Sequence, residues 1–290
     1  MIVGSLHSPQ GRSQKITGVQ LSGLMRRLRT DAGIRIESPQ PVIEHYLHDR
    51  MEALGVSDMG DYLAMLGDGI GARAEWLALS DLLTVKETRF FRQQGVFDCV
   101  ADYVQESIEQ NTDNKSFSFW SAGCSTGQEV YSLGMVLEHL LRAHQPQFEW
   151  HGLGTDISFQ AIDKAQEGCY SASDIQSVQM KFQSPYLNKV DNEQWQISKN
   201  IRSRTDFFHS NLMEVDRAFF SDFNIITCQN VLIYFERKKR QWIIDQLVDR
   251  LSVGGLLILG PGEDVQWKNW DMRRVPWPGV CAYKKTGGNK

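Results

Sequence analysis

The sequence predicts a two-part chain of the α/β class, a small all-helical region followed by a doubly wound sheet. Three observations carry this expectation. Short amphipathic stretches at helical spacing precede any strand pattern. Residues 117–135, FSFWSAGCSTGQEVYSLGM, then read as a buried strand, a glycine-containing turn and a helix. From there apolar strand runs alternate with helical runs, and Pro276, Pro278 and Gly279 punctuate a last pair of short strands.

Residues 1–20 are expected to be disordered, because their first dozen are polar and rich in Gly and Ser. Residues 21–83 form the all-α domain. Leu21, Leu24, Met25 and Leu28 share one helix face, and Gly33 can end that helix. Pro41 suits the first turn of a second helix bearing Ile43, Tyr46, Leu47, Met51 and Leu54, closed by Gly55. Ser57 is the expected cap of a third helix containing Tyr62, Leu63 and Leu66, and a fourth spans about 72–83. Residues 84–92 form a linker to the second domain, 93–290. That domain opens on a helix carrying Val96, Phe97, Val100, Tyr103, Val104 and Ile108, with a turn at 111–114.

After the first strand–turn–helix, residues 148–156 (FEWHGLGTD) read as a second strand ending in Asp156. Ser158 then caps a helix through Ile162 and Ala165 that stops at Gly168. Residues 170–204 break the βα rhythm, and Trp195, Ile197 and Ile201 suit short antiparallel strands. The third core strand is TDFFHSNL (205–212) with its loop, and 223–228 is an apolar fourth strand fit for a sheet covered on both faces. A helix over 236–251 turns Ile244, Leu247, Val248 and Leu251 inward. Gly254-Gly255 lead into a fifth strand at 256–259, and 273–275 with 280–284 form a closing hairpin.

The 123–127 turn points to chemistry. Glycines let backbone N–H groups approach a ligand, and the following helix N-terminus favours an anionic group there. Glu129, in the first helical turn, can orient an amine. In nucleotide-binding α/β folds an acid at the end of the second strand holds ribose hydroxyls, the place of Asp156. An amino-acid end and a ribose together describe S-adenosylmethionine (SAM). The Gly-x-Gly-x-x-Gly of NAD sites is missing at that turn. An ordinary strand–turn–helix, with glycines there for geometry, is the alternative.

Composition narrows the rest. The 41% hydrophobic content supports a buried core, and a net charge of −4 gives no general attraction to nucleic acid or anionic membrane. Cys99, Cys124, Cys169, Cys228 and Cys281 are scattered without a C-x-x-C pair, which suits reduced thiols in the cytoplasm and no metal site. No stretch has the length and apolarity of a membrane span. Without a secretory signal, the glycosylation spacing of Asn114-Lys115-Ser116 carries no meaning. Arg26, Arg27 and Arg29 share the polar face of the first helix, either as a solvated face or as a docking surface for an acidic partner.

Four stretches, WSAGCSTGQEVYSLGM (120–135), GTDIS (154–158), CQNVLIYF (228–235) and TRFFR (88–92), occur in this order. Together they resemble the CheR family of chemotaxis-receptor methyltransferases, and the similarity runs from about Leu21 to Lys285. The resemblance implies a Rossmann-like SAM-dependent methyltransferase domain with a closing antiparallel hairpin and a small β-subdomain inserted at about 170–204. It implies methyl transfer from SAM to receptor glutamates, leaving methyl esters and S-adenosylhomocysteine. Lys86, Thr88, Arg92, Gly123, Glu129, Asp156, Asn211, Leu212, Gln229 and Asn230 would bind the cofactor, and Arg92 and Tyr234 would serve the transfer. Arg26, Arg27 and Arg29 would meet the helical cytoplasmic region of a chemoreceptor. Some members grip a receptor C-terminal peptide with the β-subdomain, but residues 188–196 hold no Gly-x-Gly turn, and a purely structural insertion is the other reading. A monomer is expected.

This chain departs from the family where it has Lys86 for Asn, Gln128 for Glu, Val130 for Pro and Gln229 for Arg. It also has Pro261-Gly262-Glu263 where Ser-Glu is usual. These departures keep open a SAM-binding sensing module that docks on a chemosensory array. A small-molecule or nucleic-acid methyltransferase is disfavoured, since the fourth strand runs into Gln229-Asn230-Val231-Leu232 and there is no basic aromatic groove.

Overall fold

The computed structural model describes residues 16–31, 36, 39–67, 70–83, 88–110, 116–144, 149–217 and 219–287. Two compact units divide the chain, Met1–Val85 and Lys86–Lys290. Gly33, Arg35, Phe148, the turn at 111–114 and residues 84–87 of the linker, Lys86 among them, lie outside the described residues.

In the first unit, α1 (Gly18–Asp31), α2 (Gln40–Ala53), α3 (Met59–Met65) and α4 (Ile70–Leu83) bury Leu24, Leu28, Leu47, Tyr62, Leu66 and Leu79 around one core. The first helix starts earlier than expected. Thr17 Oγ1 accepts from the Gln20 N–H at 3.3 Å while Gln20 Oε1 accepts from the Thr17 N–H at 3.0 Å, a reciprocal cap. Residues 18–20 are therefore helical rather than disordered. The cap of α3 is Asp58, not Ser57: its Oδ1 accepts from the N–H groups of Gly60 and Asp61 at 2.7 and 3.1 Å. A buried Glu75 ties three helices. It accepts from Arg50 Nε and Nη2 at 3.0 and 2.7 Å and from the Tyr62 hydroxyl at 2.7 Å.

The second unit opens with α5 (Gln94–Gln110), β1 (Ser116–Ala122), α6 (Gln128–His144), β2 (Glu149–Asp156) and α7 (Phe159–Glu167). As expected, Ser158 caps α7 and Gly168, at φ 62°, ends it. Then come β3 (Cys169–Ser171), α8 (Met180–Tyr186), β4 (Leu187–Lys189), β5 (Gln194–Ile197), α9 (Lys199–Arg202) and β6 (Thr205–His209). The chain finishes with β7 (Phe223–Cys228), α10 (Arg237–Asp249), β8 (Leu251–Leu259), β9 (Met272–Arg274) and β10 (Cys281–Lys285).

Seven strands form one sheet in the order β6-β2-β1-β7-β8-β10-β9. The first five are parallel, and β10 runs antiparallel to both of its neighbours. Alternation along β1 feeds two cores, Phe117 and Phe119 on one face, Trp120 and Ala122 on the other. The insertion is a separate antiparallel sheet, β3-β5-β4. Ile201 does not join it. It lies in α9, whose turn packs the buried Ile201 into the core.

Two boundaries near the end differ from the sequence reading. Helix α10 stops at Asp249, so Leu251 starts β8 while Ile243 takes a place on the buried helix face. Gly254-Gly255 lie inside β8 instead of leading into it. Gly254 sits at φ 81°, and the β7–β8 register shifts there, as in a bulge.

Candidate active site

β1 is where the sheet reverses its winding, between β2 and β7, so loops at its carboxyl end splay apart and leave a crevice. The N–H groups of Gly123 and Cys124 donate to the Thr155 carbonyl at 2.7 and 2.9 Å, which folds the turn back over β2. Gly123 stands at φ 87°, and a Cβ there would collide with the Val231 side chain. Gly127, at φ 92°, has Ala165 and the Tyr170 hydroxyl against the place of its missing Cβ. Both glycines are thus required by conformation and by close approach. Ser125 also adopts a positive φ, 50°, and its hydroxyl is buried without a hydrogen-bond partner.

Glu129 is the hub of the crevice. Its Oε1 accepts from Thr227 Oγ1 at 2.6 Å and from Ser121 Oγ at 2.9 Å, and its Oε2 accepts from Gln229 Nε2 at 2.6 Å. Burial raises its pKa from the ordinary glutamate value. The Thr227, Ser121 and Gln229 hydrogen bonds and the charge of Arg92 oppose that rise without cancelling it. Gln229 thus keeps the hydrogen bond at a position where the family resemblance expects Arg, but brings no charge. Gln128, another departure, is buried and accepts from Thr126 Oγ1 at 2.8 Å, bracing the turn.

Asp156 spans the loops on both sides of its strand end. Its Oδ2 accepts from the Ser125 N–H at 2.8 Å and its Oδ1 from the Ser158 N–H at 2.9 Å. Next to it, β6 pairs His209 with Asp156, and the Ser210 N–H donates to the Asp156 carbonyl at 2.9 Å. Asn211 Oδ1 accepts from the Met213 N–H at 2.9 Å and starts the short 3-10 turn Leu212–Arg217. The Leu212 side chain is core. Asn230 takes φ 59° just after β7, and Tyr234 is half-buried at the end of the 3-10 turn Leu232–Tyr234.

The linker end is anchored rather than loose. Phe90 packs edge-on against Tyr170 and Phe91 stacks on Phe182, while the Phe91 N–H donates to Ser132 Oγ at 3.1 Å. These contacts leave Arg92 exposed yet close enough to lower the Glu129 pKa, and Thr88 half-buried. In the first unit, Arg26 is exposed and Arg27 lies over the Trp76 ring at 4.8 Å. The Arg29 side chain is outside the described ones.

The sequence reading gave no role to four side chains. Ser121 and Thr227 hold Glu129, and each is a polar residue inside an apolar strand run, a pattern that marks a buried hydrogen bond. Tyr170 donates to the Thr126 carbonyl at 2.6 Å. Glu263 is buried, and its carboxylate accepts from the N–H groups of Gly260 (2.7 Å), Ile233 (3.1 Å) and Asn230 (3.2 Å). It clasps the β7 and β8 loops together. Burial raises its pKa, against those backbone donors. Cys124 and Cys228 are buried thiols pushed well above their ordinary pKa, again by burial, and act as fillers. Among the described residues no group of three or more His, Cys, Asp and Glu could hold a metal ion, and no helix is long and apolar enough to cross a membrane.

Residues 86–277 match the family model described as CheR methyltransferase, SAM binding domain. The chain belongs to the CheR methyltransferase family. This CheR chain is 28% identical to a chemotaxis protein methyltransferase of Borreliella burgdorferi, covering 87% of this chain and 90% of that one. It is 32% identical to the Klebsiella aerogenes protein of the same name, over 74% and 72% of the two chains. A probable biofilm formation methyltransferase, WspC of Pseudomonas aeruginosa, is 26% identical over 90% of this chain and 61% of its own. The crevice of this CheR chain fits SAM: the turn after β1 carries an unpartnered buried hydroxyl, the helix that follows it carries a carboxylate with hydrogen-bond capacity left, and an acid closes the neighbouring strand.

Proposed function

We propose that this protein transfers the SAM methyl group to glutamate side-chain carboxylates of chemoreceptors, forming methyl esters. The observation that carries the proposal is the convergence of Ser121, Thr227 and Gln229 on a half-buried Glu129, with Arg92 close by, in a chain of the CheR family. SAM supplies an electrophilic methyl on a sulfonium centre. Glu129 would orient its amine, Asp156 its ribose, and the 123–127 turn its carboxylate, with Thr88, Asn211, Leu212 and Asn230 lining the rest.

A glutamate acceptor has a reference pKa of about 4.3 and is ionised near neutrality, so the protein need not abstract a proton. Its task is to orient and partly desolvate the acceptor. Arg92, exposed and cationic, would pin that carboxylate, while the Tyr234 ring would flank the transfer. Arg26 would contribute to receptor docking, and the edges of the β3-β5-β4 sheet are the place for a receptor tail peptide. The names of the relatives divide between chemotaxis and biofilm formation.

A sensing module is the second reading, favoured by neutral Gln229 on Glu129 where an Arg is usual. Isolated chemoreceptor membranes with methyl-labelled SAM separate the two. The enzyme should label receptor protein, and mild base should release the label as methanol, as it does from an ester. SAM binding without any receptor labelling would leave the sensing module.

A further inference from the structure

Four consecutive bases, Arg237, Lys238, Lys239 and Arg240, fill the first turn of α10, three residues beyond Tyr234. Arg240 is used locally and an acid, Glu236, stands at the N-cap, but the helix terminus itself does not favour the exposed Arg237 and Lys238. A helix N-terminus already carries partial positive charge from its unpaired N–H groups, so cations there are unfavourable and acids are the usual choice. The first turn of α10 contains no acid. The chain as a whole is acidic, at −4, which makes the cluster a local reversal of sign.

The anchoring of the segment fixes where these charges stand. Leu232 and Phe235 are buried in the core, and Arg240 Nη2 donates back to the Phe235 carbonyl at 3.3 Å. Between the anchors, Ile233 is turned outward, 47% exposed. Arg237 and Lys238 are exposed, and three residues of chain span at most about 11 Å from Tyr234. The rim beside the transfer site therefore presents one apolar side chain, one exposed acid, Glu236 at the helix N-cap, and two exposed cations, a net positive surface.

We propose that Ile233, Arg237 and Lys238 form a docking surface for the acidic segment of the protein substrate that carries the acceptor carboxylate. The inference rests on the methyl-transfer reading for the place of the acceptor, and on charge complementarity for the partner. A segment bearing several ionised glutamates meets two cations within reach of Tyr234, and an apolar side chain of that segment covers Ile233. Steering by such a rim acts on encounter and on apparent affinity for the acceptor, not on cofactor binding.

The test is Arg237→Glu with Lys238→Glu in the full chain, assayed on a soluble cytoplasmic chemoreceptor fragment. Acids suit the first turn, so the variant should melt at or above the wild-type temperature. At low salt its KM for the fragment should rise about tenfold or more, with kcat and SAM affinity within about twofold, and added salt should weaken the wild type more than the variant. Direct binding of the fragment without SAM should show the same loss. Equal KM and equal binding in the two proteins overturn the docking surface and leave the methyl-transfer reading intact. A wild type that binds no fragment at low salt also overturns it. A wild type that binds the fragment, loses that binding on charge reversal, yet transfers no methyl supports the surface and defeats the methyl-transfer reading instead.

Discussion

Glu129 concentrates the chemistry of the crevice in one proton. Burial raises its pKa, so in the fold it holds that proton to a higher pH than it would in the open chain. Keeping it ionised at neutrality therefore costs stability, which returns as pH falls through the raised value. A bound amine prefers the ionised form, so SAM affinity should run the opposite way and weaken over the same descent. Glu129→Gln is expected to bind SAM more weakly by about 1–3 kcal/mol at pH 7, with the pH dependence flattened. Calorimetry across the acidic range checks both parts, and an unchanged pH profile in a folded variant removes Glu129 from the amine site. Much of this residue's setting was legible. Its place one residue into a helix after a glycine turn is a sequence pattern. Its partner Thr227 was not, since nothing local says which strand will lie beside β1.

At the scale of elements, the turn after β1 and the loop after β7 are shaped to each other. Gly123 can come so near Val231 only because it lacks a Cβ, and its φ of 87° suits no other residue well. Gly123→Ala should lower the melting temperature and weaken SAM binding. Adding Val231→Ala should recover part of both losses, because the collision goes while the backbone strain stays. Thermal melts and SAM titrations of the two variants check this, and no recovery would show that the contact does not govern the approach. Glycine in a tight turn is a signal any reader of the sequence can use. The matching Val231 and the Glu263 clasp are not, because they join segments 108 and 33 residues apart in the chain and only the strand order brings them together. The helix ends failed for the same kind of reason. Ser57 and Asp58 are both good caps, and nothing in the local sequence chooses Asp58 over the residue before it.

Across the whole molecule, the alternation of strands and helices made the sheet readable, because buried parallel strands leave long apolar runs. The insertion was readable only as a break in that rhythm. What the break did not reveal is that the insertion reaches the cofactor turn: Tyr170, on β3, is buried against Phe90 and bonds the Thr126 carbonyl. One hydroxyl therefore joins a small peripheral sheet to the loop that should hold SAM. Thermodynamic linkage then makes the joint two-way. A receptor tail that stiffened the small sheet would alter the free energy of cofactor binding, and the cofactor would alter the hold on the tail by the same amount. Tyr170→Phe, which keeps the ring and deletes the hydroxyl, should leave each separate affinity within about tenfold and abolish their dependence on each other. Titrating SAM with and without a receptor C-terminal peptide reads that difference, and a wild type whose SAM affinity ignores a bound peptide would break the link. If a receptor tail does bind there, the insertion would be a gauge, through which the protein could register whether it is tethered while it holds its methyl donor.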